Sequence, residues 1–369
     1  MRLEKEQFLN PTLAPRLILK SIAMEPTQQQ RKKFKTAQDW NDYIGPLLQS
    51  GQGITGNDLF KLRKACYAEI EELRGRPLLI YATKFLDGGP PGMPNQIDLP
   101  DVDGFTDLIN SVGDDCKSID VLLHSPGGRP DATERIVGIL RNRFEEVNFL
   151  VPHSAYSAAT MLALSGNGIV LHPSATLGPI DPQVGVPTKE GMIRFVPAKS
   201  ILNGFAKAKK FIKDEGPETL PAYIPLIEKY SLDLFELCED SEKLSKELVS
   251  SWLKKYMFAG VKNNGRKIKK TASYFSDYNT HKVHSRPLTP DKLADFGLKL
   301  EVAENPLRDL LWEAYILLNG FFNVSPFVKL YECTHGVSWG KQFQIIMGPS
   351  MAQPQPQPQP KPKQEAARQ

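Results

Sequence analysis

"SIDVLLHSPGGRPDATERIVGILRNRFEEVNFLVPHSAYSAATMLALSGNGIVLHP" runs from Ser118 to Pro173. Its pattern changes period four times. "SIDVLLH" is a nearly continuous apolar run, the mark of a strand buried on both faces. "SPGG" breaks it, and apolar residues then recur at helical spacing over 131–144. "NFLVP" reads as a short strand, 157–166 as a small-residue helix, and 168–173 as a further strand. Strand and helix in strict alternation predict an α/β fold with a parallel sheet and right-handed crossovers.

Working outward, "RPLLIYATKF" (76–85) reads as another buried strand. "TGNDLFKLRKACYAEIEELRG" (55–75) reads as an amphipathic helix, capped by Asn57 or Asp58 and stopped by Gly75. The Gly/Pro-rich stretch 86–104 predicts a loop, although "FTDLINSVGDDC" (105–116) has helical spacing. From 197 to about 258 the pattern is helical, broken by Pro217, Pro221 and Pro225. The basic run "KNNGRKIKKTAS" (262–273) reads as a solvated loop. "TPDKLADFGLKLEV" (289–302) reads as a helix ending at Gly297 and leading into a strand. "LLWEAYILLNGFF" (310–322) is interrupted by Glu313, Asn319 and Gly320, so it reads as a buried or amphipathic helix. These readings divide the chain into a partly disordered helical leader (1–54), a main domain (55–348) with a helical insertion at about 197–258, and a Pro/Gln-rich tail (349–369). The tail has too little apolar surface to fold.

Composition narrows the function. With 41% hydrophobic and 24% charged residues, the chain has ordinary globular proportions. A net charge of +4 does not suggest a nucleic-acid partner. The four cysteines, Cys66, Cys116, Cys238 and Cys333, are far apart, which argues against a zinc site or a disulfide framework and fits a reducing, cytoplasmic setting. No secretion signal or membrane-spanning segment is visible. No metal or other cofactor is expected.

Two stretches carry chemistry. Paired glycines after a buried strand, Gly127 and Gly128, let the backbone approach a ligand and aim N–H groups at a developing negative charge. A plain strand-to-helix turn gives the same pattern. Ser157 sits at the junction of a strand and a helix, with Ala155, Ala158 and Ala159 leaving space around it. It is either a nucleophile or an N-cap among close-packed alanines. Asp181, before Pro182, either orients a base or holds a turn. His281 and His284 form an H-x-x-H pair with no carboxylate or cysteine cluster beside it, so a structural or surface role is expected. A base arriving from this late segment is the alternative.

Taken together, "HSPGGRPDATERIV", "HSAYSAATMLALSGNGIVL" and "HPSATLGPIDPQ" resemble the Clp/crotonase-fold serine peptidases. The likeness is to the signal-peptide-peptidase A group and to the serine dehydrogenase proteinases. It covers residues 75–200 strongly and 284–302 more weakly. The resemblance implies a fold of repeated β-β-α units with added helices. It implies Ser157 as nucleophile, an oxyanion hole from the Gly127 or Gly128 amide with that of Ala158, a polypeptide substrate and a homo-oligomer. Ser154 and Thr160 would pack or cap, and Tyr156 matches no assigned role. Where the Clp branch has its histidine, this chain has Ile180, and His172 is displaced by several residues. The signal-peptide-peptidase branch uses a lysine about forty residues after the serine, and "VPAKSILNGFAKAKK" places Lys199 there. A lysine ordinarily keeps its proton up to a pH of about 10.4, and an apolar pocket lowers that value. Phe195, Val196, Pro197 and Ile201 are the apolar neighbours in sequence. Lys189 is the second candidate. A crotonase-like acyl-CoA enzyme and an inactive scaffold of the same fold are the competing functions.

Overall fold

Parallel strands need crossovers, and the chain supplies them in sequence order. A computed structural model describes residues 31–50, 54–90, 92–188, 191–228 and 230–343. The leader before residue 31, the Pro/Gln tail and Lys189 lie outside the described residues. Helices α1 (Ala37–Gln49) and α2 (Gly56–Arg74) precede strand β1 (Leu78–Thr83). Next come α3 (Asp101–Asn110), β2 (Ser118–His124), α4 (Pro130–Arg143), β3 (Glu146–Val151) and the short β4 (Ser154–Ala155). Helix α5 (Ala158–Leu164), β5 (Gly168–Leu171), the short β6 (Thr176–Leu177) and the hairpin β7 (Gln183–Pro187)–β8 (Ile193–Pro197) follow. Five helices come after the hairpin: α6 (Ala198–Glu215), α7 (Leu220–Ile227), α8 (Leu232–Lys255), α9 (Gly265–Ser276) and α10 (Tyr278–His281). The chain then runs through α11 (Pro290–Leu293), β9 (Leu300–Val302), α12 (Leu307–Asn323), β10 (Phe327–Cys333) and β11 (Ser338–Gln342).

Seven strands form the main sheet in the order β11-β10-β1-β2-β3-β5-β9. Strands β1, β2, β3, β5 and β9 are parallel, while β10 and β11 add an antiparallel edge. Successive strand residues point to opposite faces, and each face has its own core. Leu79, Tyr81, Val121, Leu123, Phe149, Val151 and Ile169 pack with α3, α4, α5, α8 and α9. Leu78, Ile80, Ala82, Leu122, Leu150 and Val170 pack with α1, α2 and α12. Both faces are covered, so each central strand reads as one apolar run. Each fully buried large aliphatic side chain contributes roughly 1.5–3 kcal/mol, so the sheet centre is the strongest part of the molecule.

Several sequence features now have a cause. Gly75 closes α2 in the left-handed conformation, as expected, but the N-cap is Thr55 in a capping box with Asp58, not Asn57 or Asp58. The side chain of Thr55 accepts the Asp58 N–H, and the Asp58 carboxylate accepts the Thr55 N–H. The expected loop at 262–273 is mostly helix. In α9 the lysines face out, while Ile268, Thr271, Ala272 and Phe275 are buried. Glu313 interrupts the apolar run of α12 because its carboxylate accepts the N–H of Phe34. Gly320 does so because a Cβ there would lie 2.3 Å from the Trp40 ring. Trp40 thus seats α1 on α12, which makes residues 37–49 part of the main body.

A third, smaller core lies under the hairpin, where Val184, Ala198, Ile201 and Cys238 cluster with Val186, Val196 and Phe235. It joins β7–β8 to α6 and α8. None of the four cysteines is in a disulfide. No described helix is long and apolar enough to cross a membrane.

Candidate active site

The site grows from the carboxyl end of β2. Ser125 donates its N–H to the Ser154 carbonyl at 3.1 Å and accepts the Tyr156 N–H at 3.0 Å. This zips the glycine turn to the segment before Ser157. On the other side of the turn, Ile97 donates to the Gly127 carbonyl (2.7 Å) and accepts from Arg129 (2.9 Å), a parallel bridge centred on Gly128. The turn is therefore held from both sides.

Both glycines are sterically required. Gly127 has φ +91°, and a Cβ there would lie 2.4 Å from the Tyr156 carbonyl oxygen and 2.7 Å from both Ala158 N and Ser157 Cβ. A Cβ on Gly128 would lie 2.2 Å from the Ile97 carbonyl oxygen. The glycine turn and the Ser157 junction are thus in direct backbone contact. The Gly127 N–H is already donated to Ser125 Oγ at 3.2 Å. The N–H groups of Gly128 and Ala158 donate to no described residue.

Ser157 occupies the N-cap position of α5, yet its side chain caps nothing. Its φ is +52° and its ψ −122°, a backbone state that costs a non-glycine residue of order 1–3 kcal/mol. Its hydroxyl hydrogen-bonds no described residue and its side chain is half-buried. The neighbouring hydroxyls are occupied. Thr160 donates to the Ala155 carbonyl (2.7 Å) and accepts the Gly178 N–H (3.0 Å). Ser154 Oγ lies 2.6 Å from His153 Nδ1. Tyr156, whose hydroxyl lies 3.1 Å from Thr176 Oγ1, anchors the residue just before Ser157.

Beside this elbow stand three histidines that sequence reasoning did not place together. His124 ends β2, His153 follows β3 and His172 follows β5. His153 stacks on Tyr315 and His172 on Trp312, both on α12. His124 is fully buried among Phe85, Tyr315 and His153, and its Nδ1 has no partner among the described residues. Burial pulls its pKa down to about 3, with the neighbouring His153 adding to the shift. Burial lowers His153 and His172 as well. The aromatic face is neutral near pH 7.

The expected bases that fall among the described residues have partners of their own. Lys199 opens α6, but its Nζ forms an ion pair with Glu242 of α8 at 3.2 Å and is about a third exposed. The surrounding groove between α6 and α8 is lined by Phe205, Phe235 and Glu239. The apolar wall expected from Phe195 is absent, because that ring is 62% exposed on the hairpin. No hydrogen bond or ion pair among the described residues joins Lys199 to Ser157. His281 is buried, with Nε2 2.7 Å from the Tyr274 carbonyl oxygen, the structural role expected of it. His284 is different: its Nδ1 lies 2.8 Å from Asp181 Oδ1. Asp181 is 1% exposed and His284 26%. The sequence separation of 103 residues hid this pair. Ile180 is buried and donates its N–H to the Phe275 carbonyl (2.8 Å). No group of three or more His, Cys, Asp and Glu with metal-binding geometry occurs among the described residues.

Comparison with known proteins gives three findings. Residues 57–315 match the family model described as ClpP-like SDH-type serine proteinase. An uncharacterized protein of Methanocaldococcus jannaschii is 27% identical over 246 residues, covering 64% of this chain and 71% of its own length. A second uncharacterized protein of that organism is 36% identical over 83 residues, or 22% of this chain and 29% of its own. Two solved variants of the 1510-N membrane-bound stomatin-specific protease, one in complex with a substrate peptide, align at 21% identity with a TM-score of 0.34. They cover 58% and 57% of this chain, and 73% and 77% of their own.

Proposed function

This chain belongs to the family of ClpP-like SDH-type serine proteinases, and from that premise we propose that it hydrolyses peptide bonds with Ser157 as nucleophile. One observation carries the reading. Ser157, the only residue of its segment with positive φ, has an unengaged hydroxyl and faces a glycine turn with a spare N–H. Backbone strain at a side chain with no structural task is a signature of a functional position.

In this reading the base takes the Ser157 hydroxyl proton as Oγ attacks the substrate carbonyl carbon. The N–H groups of Gly128 and Ala158 hold the oxyanion, since that of Gly127 is spent on Ser125. The amine leaves with the proton, and water hydrolyses the acyl-enzyme. Labelling by a fluorophosphonate probe tests the nucleophile. Wild type reacts, and labelling that persists in Ser157→Ala sinks the assignment.

For the base we propose Lys199, with Asp181 in a supporting role. A lysine base works as the neutral amine, so Nζ must leave Glu242 to act. The Asp181–His284 pair is a second reading, favoured by one specific observation. A buried carboxylate on Nδ1 fixes the imidazole and leaves Nε2 to work as a base. Loss of labelling in Lys199→Ala with retention in His284→Ala supports the first reading, and the opposite pattern the second. Tight acyl-CoA binding favours the crotonase alternative. Absence of labelling in a stable oligomer favours the scaffold.

We also propose a cytoplasmic homo-oligomer. Four unpaired cysteines fit a reducing compartment. Met192, Ile193 and Phe195 are 62–65% exposed together on the hairpin, and grouped exposed apolar side chains are a feature of interaction surfaces. Light scattering on the purified chain checks the oligomer.

A further inference from the structure

A cleft opens next to the turn that carries Gly128. It has a volume of about 400 Å³ and lies along the 92–100 segment, bounded by Met93, Pro94, Ile97, Phe195, Arg129 and Lys341. Its link to the chemistry is direct. Ile97 is bridged to Gly128 and accepts the Arg129 N–H. A strand advances about 3.3 Å per residue, so the cleft starts within one or two residues of the proposed oxyanion hole. Its walls divide by chemistry. Phe195 and Met93, with Pro94 and Ile97, are apolar, and the deep end is charged.

The charged end is unusual. Asp101 is completely buried and accepts from Tyr81 (2.9 Å), Tyr331 (2.5 Å), the Asp98 N–H (2.9 Å) and two ammonium groups. Lys329, 2% exposed, gives one proton to the Gln96 carbonyl and the others to Asp101 (2.7 and 2.8 Å). Lys341, 26% exposed, reaches Asp101 at 3.2 Å. Asp101 is held below its usual carboxylate range against the penalty of burial, by Lys329 above all. One buried carboxylate therefore faces two ammonium groups, and the next acid acting on Lys329 is Asp98, half exposed on the cleft wall. At the mouth, Arg129 pairs with Asp131 (2.6 Å) and Asp98 (3.4 Å). These three groups are about half exposed, where water and salt screen them. The buried Asp101–Lys329 pair is screened less. Lys341 spends one of its three N–H bonds on Asp101 and lines the cleft.

We propose that this cleft is a specificity subsite for a carboxylate of the polypeptide substrate, with Lys341 as the contact. The Asp101–Lys329–Tyr81–Tyr331 cluster positions Lys341, and Phe195 and Met93 cover the methylenes of the bound side chain. A carboxylate there adds an ion pair to the Lys341 hydrogen bond, and an amide of the same shape offers the hydrogen bond alone. The source is an aspartate or glutamate side chain, or a chain terminus. This inference rests on the peptidase reading, and the experiment separates the two.

Peptides differing only by Glu, Gln or Lys at each position flanking the cleaved bond are given to the full chain and to Lys341→Met, with Ser157→Ala as blank. A parallel set compares a C-terminal acid with its amide. The expected result is a Glu-over-Gln preference of at least tenfold at one position, falling to near one in Lys341→Met and retained in Lys341→Arg. A preference confined to the C-terminal acid assigns the terminus as source. Ser157-dependent cleavage with no acid preference, or a preference unchanged in Lys341→Met, overturns the subsite. If no peptide is cleaved, the peptidase reading fails first. The subsite is then decided by fluorescence anisotropy of labelled Glu and Gln peptides on Ser157→Ala. Tighter Glu binding that Lys341→Met removes sustains it, and equal or absent binding overturns it.

Discussion

At the residue scale, the backbone of Ser157 separates a plain helix cap from the nucleophile proposed above. A hydroxyl kept for capping would sit in extended backbone and bond the first turn of α5. Ser157 does neither. Two substitutions separate strain from chemistry. Both Ser157→Gly and Ser157→Ala should lose probe labelling. The glycine variant should be the more stable by about 1 kcal/mol, because glycine carries no penalty at positive φ. Equal urea midpoints for the two would show that the backbone at 157 is unstrained. Gly127 gives the converse case. Gly127→Ala must place a methyl group against Ala158 N and Ser157 Cβ and hold alanine at φ +91°. It should cost at least about 2 kcal/mol and abolish labelling together with stability. Near-normal labelling would mean that the turn and the elbow are not held in contact.

At the scale of elements, the sequence predicts some parts far better than others, and the reason is range. Strands β1, β2, β3 and β5 were legible because each is a continuous apolar run next to its crossover helix. The contact between the glycine turn and Ser157 was implied only by the family resemblance, and its physical cause is that adjacent parallel strands bring their carboxyl ends together. Strands β10 and β11 were missed. "FVKLYEC" carries Lys329 and Glu332, which look solvated in sequence but are buried against partners 228 and 269 positions away. Hairpin β7–β8 was not read from the sequence, and one of its faces stays apolar and exposed. Lys199–Glu242 and Asp181–His284 escaped for the same reason of distance. Glu332 offers a test of such a link. Arg63 of α2 donates Nε and Nη2 to it at 2.8 and 2.6 Å, and Tyr67 and Ser338 donate to it as well. Glu332→Ala leaves a guanidinium buried without its counter-charge and should cost about 3–5 kcal/mol. Adding Arg63→Met should restore much of that loss, because the pair is replaced by apolar surface. A double variant no more stable than Glu332→Ala would show that the pair is not the link holding β10 to α2.

For the whole molecule, three histidines at the carboxyl edge of the sheet tie stability to pH. His124, His153 and His172 end adjacent parallel strands and pack against α12, where burial favours the neutral ring in each. His124 falls from 6.5 to about 3. Between those values the unfolded chain binds a proton that the folded chain refuses, so stability rises with pH. The contribution is complete above about pH 6.5 and is lost as pH falls towards 3. At pH 4.5 His124 alone should remove about 2–3 kcal/mol relative to pH 7.5. Carboxylates also titrate there, and Asp101 adds loss in the same direction because its folded value is depressed. A single acid scan therefore cannot isolate the histidine, but a difference can. His124→Phe keeps a planar ring beside Phe85 and Tyr315 and removes the proton site. The urea midpoints of wild type and variant, each measured at pH 7.5 and 4.5, should show a smaller acid loss in the variant by about that amount. An acid loss of equal size in both proteins would mean that the ring takes up its proton without leaving the fold. The α12 face would then play no part in the molecule's response to acid.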